Sequence, residues 1–236
     1  MQQALHHLFD KFNGTFQSLK EEVAEGEDID HRLYTASPPR HTRPNCISIF
    51  PIPASVNYVA KTIPGVPILH QDYAPLSLLA RVLSSTFLHK EIREKGGAYG
   101  AGLSVGNTTM SFYSYRDPNV QQTYDVFDKS ADFISGKDGI REEDVVEAKL
   151  SLFGDFDSPV SPFNKGSNLF ELGISNHVVE RQRTNLYQVQ RDDMLRVGEK
   201  YLRPLKEECS LAWLGPEQEV GEAKELAEER VEIADQ

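Results

Sequence analysis

Arg93 and Tyr99 lie six residues apart in IREKGGAYGAG, residues 92–102, with Gly96 and Gly97 between them. An apolar stretch with helical spacing, Tyr73 to Lys95, runs up to the two glycines, and Ala98-Tyr99-Gly100-Ala101 reads as a strand beyond them. Paired glycines stop a helix because they tolerate positive φ and carry no Cβ. They also let a second backbone, such as a bound peptide, pass close to the chain. The turn brings a guanidinium from the last helical turn near a phenol on the next element. Both groups can donate hydrogen bonds to a carbonyl oxygen as it gains negative charge, which is oxyanion stabilisation in peptide cleavage. The same residues admit a plainer reading. Arg93 can cap the helix C-terminus and neutralise Glu91 or Glu94, and Tyr99 can be a sheet aromatic with its hydroxyl at the rim.

The flanking sequence predicts the elements that must hold this turn. Leu76, Leu79, Leu83 and Phe87 form an amphipathic stripe on the helix before it. Two strands follow, at about 98–106 and 108–116, the second strongly aromatic. Asp117-Pro118 then offers an N-cap and an N1 proline for a helix through about Ser135. Upstream, residues 46–61 predict one or two strands with a proline-interrupted bend, and Gly65-Val66-Pro67 a turn. Downstream, helices are expected at 140–154, 164–175 and 178–202, then a buried strand, CSLAWLG (209–215). Residues 1–24 read as a lead-in helix, 25–45 as an exposed connector and 216–236 as a terminal helix carrying Val220, Ala223, Ala227 and Val231 along one side. Strands and helices mixed irregularly, with hairpins, predict an α+β domain: helices covering one face of a mainly antiparallel sheet.

Composition narrows the function classes. The 236 residues are 39% hydrophobic and 26% charged, enough for one large domain or two small ones. The formal charge of −11 disfavours a nucleic-acid partner and suits basic ones, although acidity for solubility alone gives the same sum. The apolar runs are broken by Pro51, Pro53, Arg81 and Ser84-Ser85, so no membrane partner is expected. The first twenty residues hold no arginine, and Asp10 interrupts them, which does not fit a secretory or transit peptide there. They read as a helix entered in mid-domain, as in a fragment of a longer chain. Cys46 and Cys209, far apart and outside any CxxC, predict free thiols and a reducing compartment.

Other motifs fall on context. GLSVG (102–106) spells a nucleophile elbow, but a strand rather than a helix follows Ser104, which makes it a hairpin residue. GAYGAG lacks the G-x-G-x-x-G spacing. There is no H-E-x-x-H or H-x-x-E-H, His6 and His7 point apart, and His89 has no partner histidine on its helix, so no metal ligand is assigned.

Four strings in order, NYVAKTIPGVP (57–67), FLHKEIREKGGAYGAG (87–102), FYSYRDPN (112–119) and EAKLSLFGDFDSPVSPFNKG (147–166), resemble the last domain of the presequence proteases, two-halved zinc peptidases of the pitrilysin family. The resemblance continues, more faintly, to about residue 214. It implies a carboxy-terminal pitrilysin-type domain from a larger four-domain protein that closes over a peptide chamber. It further implies that zinc and a glutamate base lie in the amino-terminal half, which is the expected partner of this domain. Arg93 and Tyr99 then bind the substrate backbone and stabilise the oxyanion, with Gly96 and Gly97 beside them. Implied substrates are released targeting presequences and other short, basic, unstructured peptides, and the implied place is the mitochondrial matrix or another organelle. Because the zinc motif is missing here, this fragment alone is expected to be inactive. The alternative is a non-catalytic structural or assembly domain of the same fold, as in processing-peptidase-like core subunits. Retention of the Arg…Gly-Gly-Ala-Tyr string counts against that alternative.

Overall fold

Alternation along the strands decides where the core lies. In β2 (Asn57–Pro64), Val59, Lys61 and Ile63 are buried while Tyr58, Ala60 and Thr62 are half-buried on the opposite face. In β4 (Thr109–Asp117), Met110, Phe112 and Ser114 point inward, and Ser111, Tyr113 and Tyr115 outward. With β1 (Ile47–Ile52), β3 (Gly100–Val105) and β5 (Ser210–Pro216) they make one five-stranded sheet in the order β1-β5-β2-β4-β3. Only the β1–β5 pair is parallel; the other three pairs are antiparallel. The computed structural model describes residues 46–136, 139–204 and 209–228. The lead-in helix, the connector and Val231 expected from the sequence lie outside these.

Helices cover the inward face, as expected. They are α1 (Tyr73–Leu83), continued by a π-helical segment (Ser84–Lys95), α2 (Val120–Asp128), α3 (Ser130–Ser135), α4 (Glu142–Phe156), α5 (Ser167–Leu172), α6 (Asn176–Gln188), α7 (Arg191–Leu202) and α8 (Val220–Glu228). Leu76, Leu79 and Leu83 of the predicted stripe are fully buried, and Phe87 stacks on Phe133 with centroids 4.6 Å apart. The widening into π geometry has a local cause. Ser84, Ser85 and Thr86 each donate their hydroxyls to the carbonyl four residues back, on Ala80, Arg81 and Val82, at 2.7, 3.1 and 2.7 Å. Such bonds compete with the α-helical amides for those carbonyls and loosen the turn. Ser84 Oγ also accepts the Leu103 N–H at 2.9 Å, covering part of edge strand β3.

Three local expectations are corrected. The helix after Asp117-Pro118 is capped by Asn119, not Asp117: the Asp117 carboxylate is taken up by Ser114 and Thr123 hydroxyls, both at 2.6 Å, and by the Asn119 amide at 2.8 Å. That helix also stops at Lys129 and restarts, so the single element expected through Ser135 is two. The helix expected over 178–202 is broken at Val189-Gln190, where α7 begins with a capping box between Gln190 and Asp193.

Far from the turn, Asp72 ties α7 to the start of α1. Its fully buried carboxylate accepts from Arg196 at 2.7 Å, Lys200 at 2.9 Å and the Tyr201 hydroxyl at 2.8 Å. In the core, Lys61 Nζ pairs with Asp128 at 2.5 Å.

Candidate functional site

The predicted stop at Gly96-Gly97 is present, and each glycine is required for a different reason. Gly97 sits at φ +81°, in the left-handed region, and its N–H bonds the Arg93 carbonyl at 3.1 Å. Gly96 keeps a right-handed conformation, but a Cβ there would meet the Ile92 carbonyl oxygen at 2.6 Å. The Ala98 N–H also returns to the Ile92 carbonyl, at 3.1 Å. Gly96 is buried and Gly97 exposed, so Gly97 is the one that opens backbone to solvent.

Arg93 emerges from the last turn of the π segment into solvent. Glu91, one of the partners it might have neutralised, is held by Lys95 at 2.7 Å. Among the described residues the Arg93 side chain has no hydrogen-bond or ion-pair partner, so its guanidinium is available to a ligand. Tyr99 follows the turn at the mouth of β3 with 60% of its surface exposed. Its backbone is fixed, the N–H lying 3.2 Å from the Tyr115 carbonyl and 3.4 Å from that of Arg116.

The open face beside Tyr99 is aromatic. Tyr115 lies opposite Gly100 and Tyr113 opposite Gly102; a Cβ on Gly100 would strike the Tyr115 ring at 2.6 Å, and one on Gly102 the Tyr113 hydroxyl at 2.7 Å. The two glycines of β3 thus make room for the tyrosines of β4, a cross-strand pairing of missing side chain with large ring. The Tyr99 and Tyr115 rings meet at 5.5 Å between centroids, tilted 52°. The Arg116 guanidinium carbon lies 5.5 Å from the Tyr99 ring centre.

Sequence reasoning singled out Arg93, Tyr99, Gly96 and Gly97 and did not name Tyr113, Tyr115, Arg116 and Asn119, which the structure places beside the turn. The string FYSYRDPN holds all four, and only its register against Gly100 and Gly102 shows that it faces the turn. Ser104 is an exposed β3 residue whose hydroxyl reaches the Ser111 carbonyl at 3.4 Å, consistent with its reading as a hairpin residue. Among the described residues, no three His, Cys, Asp or Glu side chains come together to hold a metal, so the residues present do not fit a zinc site. No helix of the described residues is long and apolar enough to cross a membrane.

The turn, the hairpin and the helices over them fall within a longer match. The sequence pattern described as the PreP C-terminal domain matches residues 48–200. The chain belongs to the PreP C-terminal domain family. This PreP C-terminal domain is 44% identical over 170 residues to "Presequence protease, mitochondrial" of Xenopus tropicalis, covering 71% of this chain and 16% of that protein. The protein of the same name from Mus musculus is 43% identical over 170 residues, covering 71% of this chain and 16% of its own length. The chain therefore spans about a sixth of the length of the curated relatives it matches. Two solved structures share its fold. A protease from Helicobacter pylori superposes with a TM-score of 0.57 at 16% identity, over 72% of this chain and 44% of the other. Pitrilysin superposes with a TM-score of 0.50 at 12% identity, over 73% of this chain and 20% of the other. The PreP C-terminal domain thus has the pitrilysin-type architecture expected from the sequence.

Proposed function

We propose that this PreP C-terminal domain supplies the substrate-binding wall of a mitochondrial presequence-degrading metallopeptidase, with Arg93 and Tyr99 as its substrate-contacting donors. The observation that carries the reading is that both side chains flank the Gly96-Gly97 turn and face solvent: among the described residues the Arg93 guanidinium has no hydrogen-bond or ion-pair partner, and the Tyr99 phenol is largely exposed and anchored by its backbone. Exposed donors next to a glycine turn and an edge strand can follow an extended peptide backbone and meet its carbonyls. Supporting the reading are the family match and the name carried by relatives at 43–44% identity.

In this scheme the metal and the general base belong to the amino-terminal half of the polypeptide, and the present domain alone is inactive. The chain's own residues bind and orient. Arg93 and Tyr99 donate to the carbonyl next to the scissile bond when the halves close, and closure removes the water that would otherwise compete for them. Tyr113 and Tyr115 present ring faces to side chains on either side. The charge of −11 favours the approach of short basic peptides such as presequences, acting in the matrix.

The test uses the full polypeptide and a short basic peptide as substrate. Arg93→Ala and Tyr99→Phe are each expected to lower kcat by about 100- to 1000-fold, the usual effect of losing one oxyanion donor. Their unfolding midpoints should stay unchanged, since among the described residues neither the Arg93 guanidinium nor the Tyr99 hydroxyl has a hydrogen-bond partner to lose. Full turnover by both variants would reject the assignment.

A further inference from the structure

Arg116, whose guanidinium lies over the Tyr99 ring, stands at a break in the β2–β4 ladder. Asn57 pairs with Asp117 and Tyr58 with Tyr115, which leaves Arg116 as one extra residue in β4. A bulge of this kind bends its strand and redirects a side chain, and bulges collect beside functional sites. Arg116 sits there at φ +51°, a left-handed conformation that glycine takes freely and an L side chain rarely adopts. A bulge needing only the backbone shape would be met by glycine. Arginine at this φ indicates that the side chain is used, as strained residues at functional sites commonly are.

The side chain lies against Tyr99. The Arg116 guanidinium carbon lies 5.5 Å from the centre of the Tyr99 ring, within the range where a cation is attracted to the ring face. The bulge also grips Tyr99 from behind, because the Tyr99 N–H faces the carbonyls of both Tyr115 and Arg116. Tyr115 meets the ring from a second direction at 5.5 Å. An exposed tyrosine at the mouth of a strand would otherwise sample several rotamers, and its hydroxyl would reach a ligand only part of the time.

We propose that Arg116 is a positioning residue: its guanidinium, delivered by the strained bulge, holds the Tyr99 phenol in the orientation that meets substrate. This rests on the role given to Tyr99 above. It makes Arg116 act through Tyr99 and not on the peptide itself.

The experiment compares Arg116→Gly, Arg116→Lys, Tyr99→Phe and the Arg116→Gly/Tyr99→Phe pair in the full polypeptide, with kcat and KM measured separately on a basic peptide. Glycine keeps the backbone shape and removes the cation; lysine keeps a cation. Arg116→Gly is expected to lower kcat about three- to tenfold with KM little changed, the range of one cation–π contact. Its unfolding midpoint should be unchanged or raised. Arg116→Lys should recover most of the loss, and Arg116→Gly should cost nothing more once Tyr99 is phenylalanine. If Tyr99→Phe is impaired while Arg116→Gly turns over normally, or if the two losses multiply, Arg116 does not position Tyr99 and the role of Tyr99 survives. If Tyr99→Phe itself turns over normally, the role given to Tyr99 falls and this inference falls with it.

Discussion

The side-chain amide of Asn119 donates to the Gly96 carbonyl at 2.7 Å, so the residue that opens α2 also closes the turn separating Arg93 from Tyr99. Beside it, the Pro118 ring lies against the exposed side of Gly97, its Cγ 3.6 Å from where a Cβ would stand. Asn119 is itself held by Asp117, through the bond from its own N–H. The DPN string therefore buttresses the turn that presents both donors.

Removing that buttress should cost stability. Asn119→Ala loses the bond to Gly96, worth about 1 kcal/mol net. For a chain of this size the melting temperature should fall by about 2–4 °C. Asn119→Asp should fall at least as far, because an ionised carboxylate cannot donate to a carbonyl. A thermal melt of the two variants decides it: unchanged midpoints would mean that the bond contributes nothing.

Acid sensitivity should trace to Asp72. Burial pushes its carboxyl up, but hydrogen bonds from Lys200, Arg196 and Tyr201 outweigh this and bring it down to about 2 from the ordinary 3.8. A carboxyl lowered by folding stabilises the native state above its unfolded pKa and loses that contribution as pH falls through the folded one. The window is therefore pH 4 down to about 2, and the loss is on the order of 2 kcal/mol. Urea unfolding of the parent and of Asp72→Asn should show the parent's advantage at pH 7 shrinking across this window. A difference independent of pH would rule the carboxylate out as its source.

Thiol chemistry should separate the two cysteines. Cys209 is fully buried and burial raises its thiol pKa, with Lys61 lowering it and Asp128 raising it by smaller amounts. Cys46 is only half-buried, its sulfur 3.4 Å from the Ser210 hydroxyl. Since the thiolate is the reactive species, a disulfide reagent at neutral pH should titrate one thiol quickly in the native protein and two after denaturation. Two fast thiols in the native state would show that the β5 end of the core opens readily.

Much of the site was legible because it is written in local chemistry. Two consecutive glycines after an apolar helical stripe leave few conformations other than a stop, and Gly97 takes the positive φ that this stop needs. The hairpin strands, expected at about 98–106 and 108–116 with the second strongly aromatic, are present as Gly100–Val105 and Thr109–Asp117. Asp117 misled as a cap because its carboxylate finds Ser114 and Thr123, one on the strand and one on the helix, and passes the capping position to Asn119. The split helices at Lys129 and at Val189-Gln190 were not legible either, since neither glycine nor proline marks those breaks.

By itself the sequence determined that a helix ends at Gly96-Gly97 with Arg93 before and Tyr99 after, and that the chain builds a mainly antiparallel sheet under helices. Steric limits on φ and the two-residue period of a strand act within a few residues, so residue types suffice to state them. Tertiary structure alone decided that Arg116 occupies a bulge over Tyr99, that Tyr113 and Tyr115 fill the space of Gly100 and Gly102, and that Asp72 gathers Arg196, Lys200 and Tyr201 from far along the chain. Each of these depends on which strands and helices become neighbours. That choice minimises exposed apolar surface and unpaired polar groups over the whole domain, and no short stretch of sequence contains it.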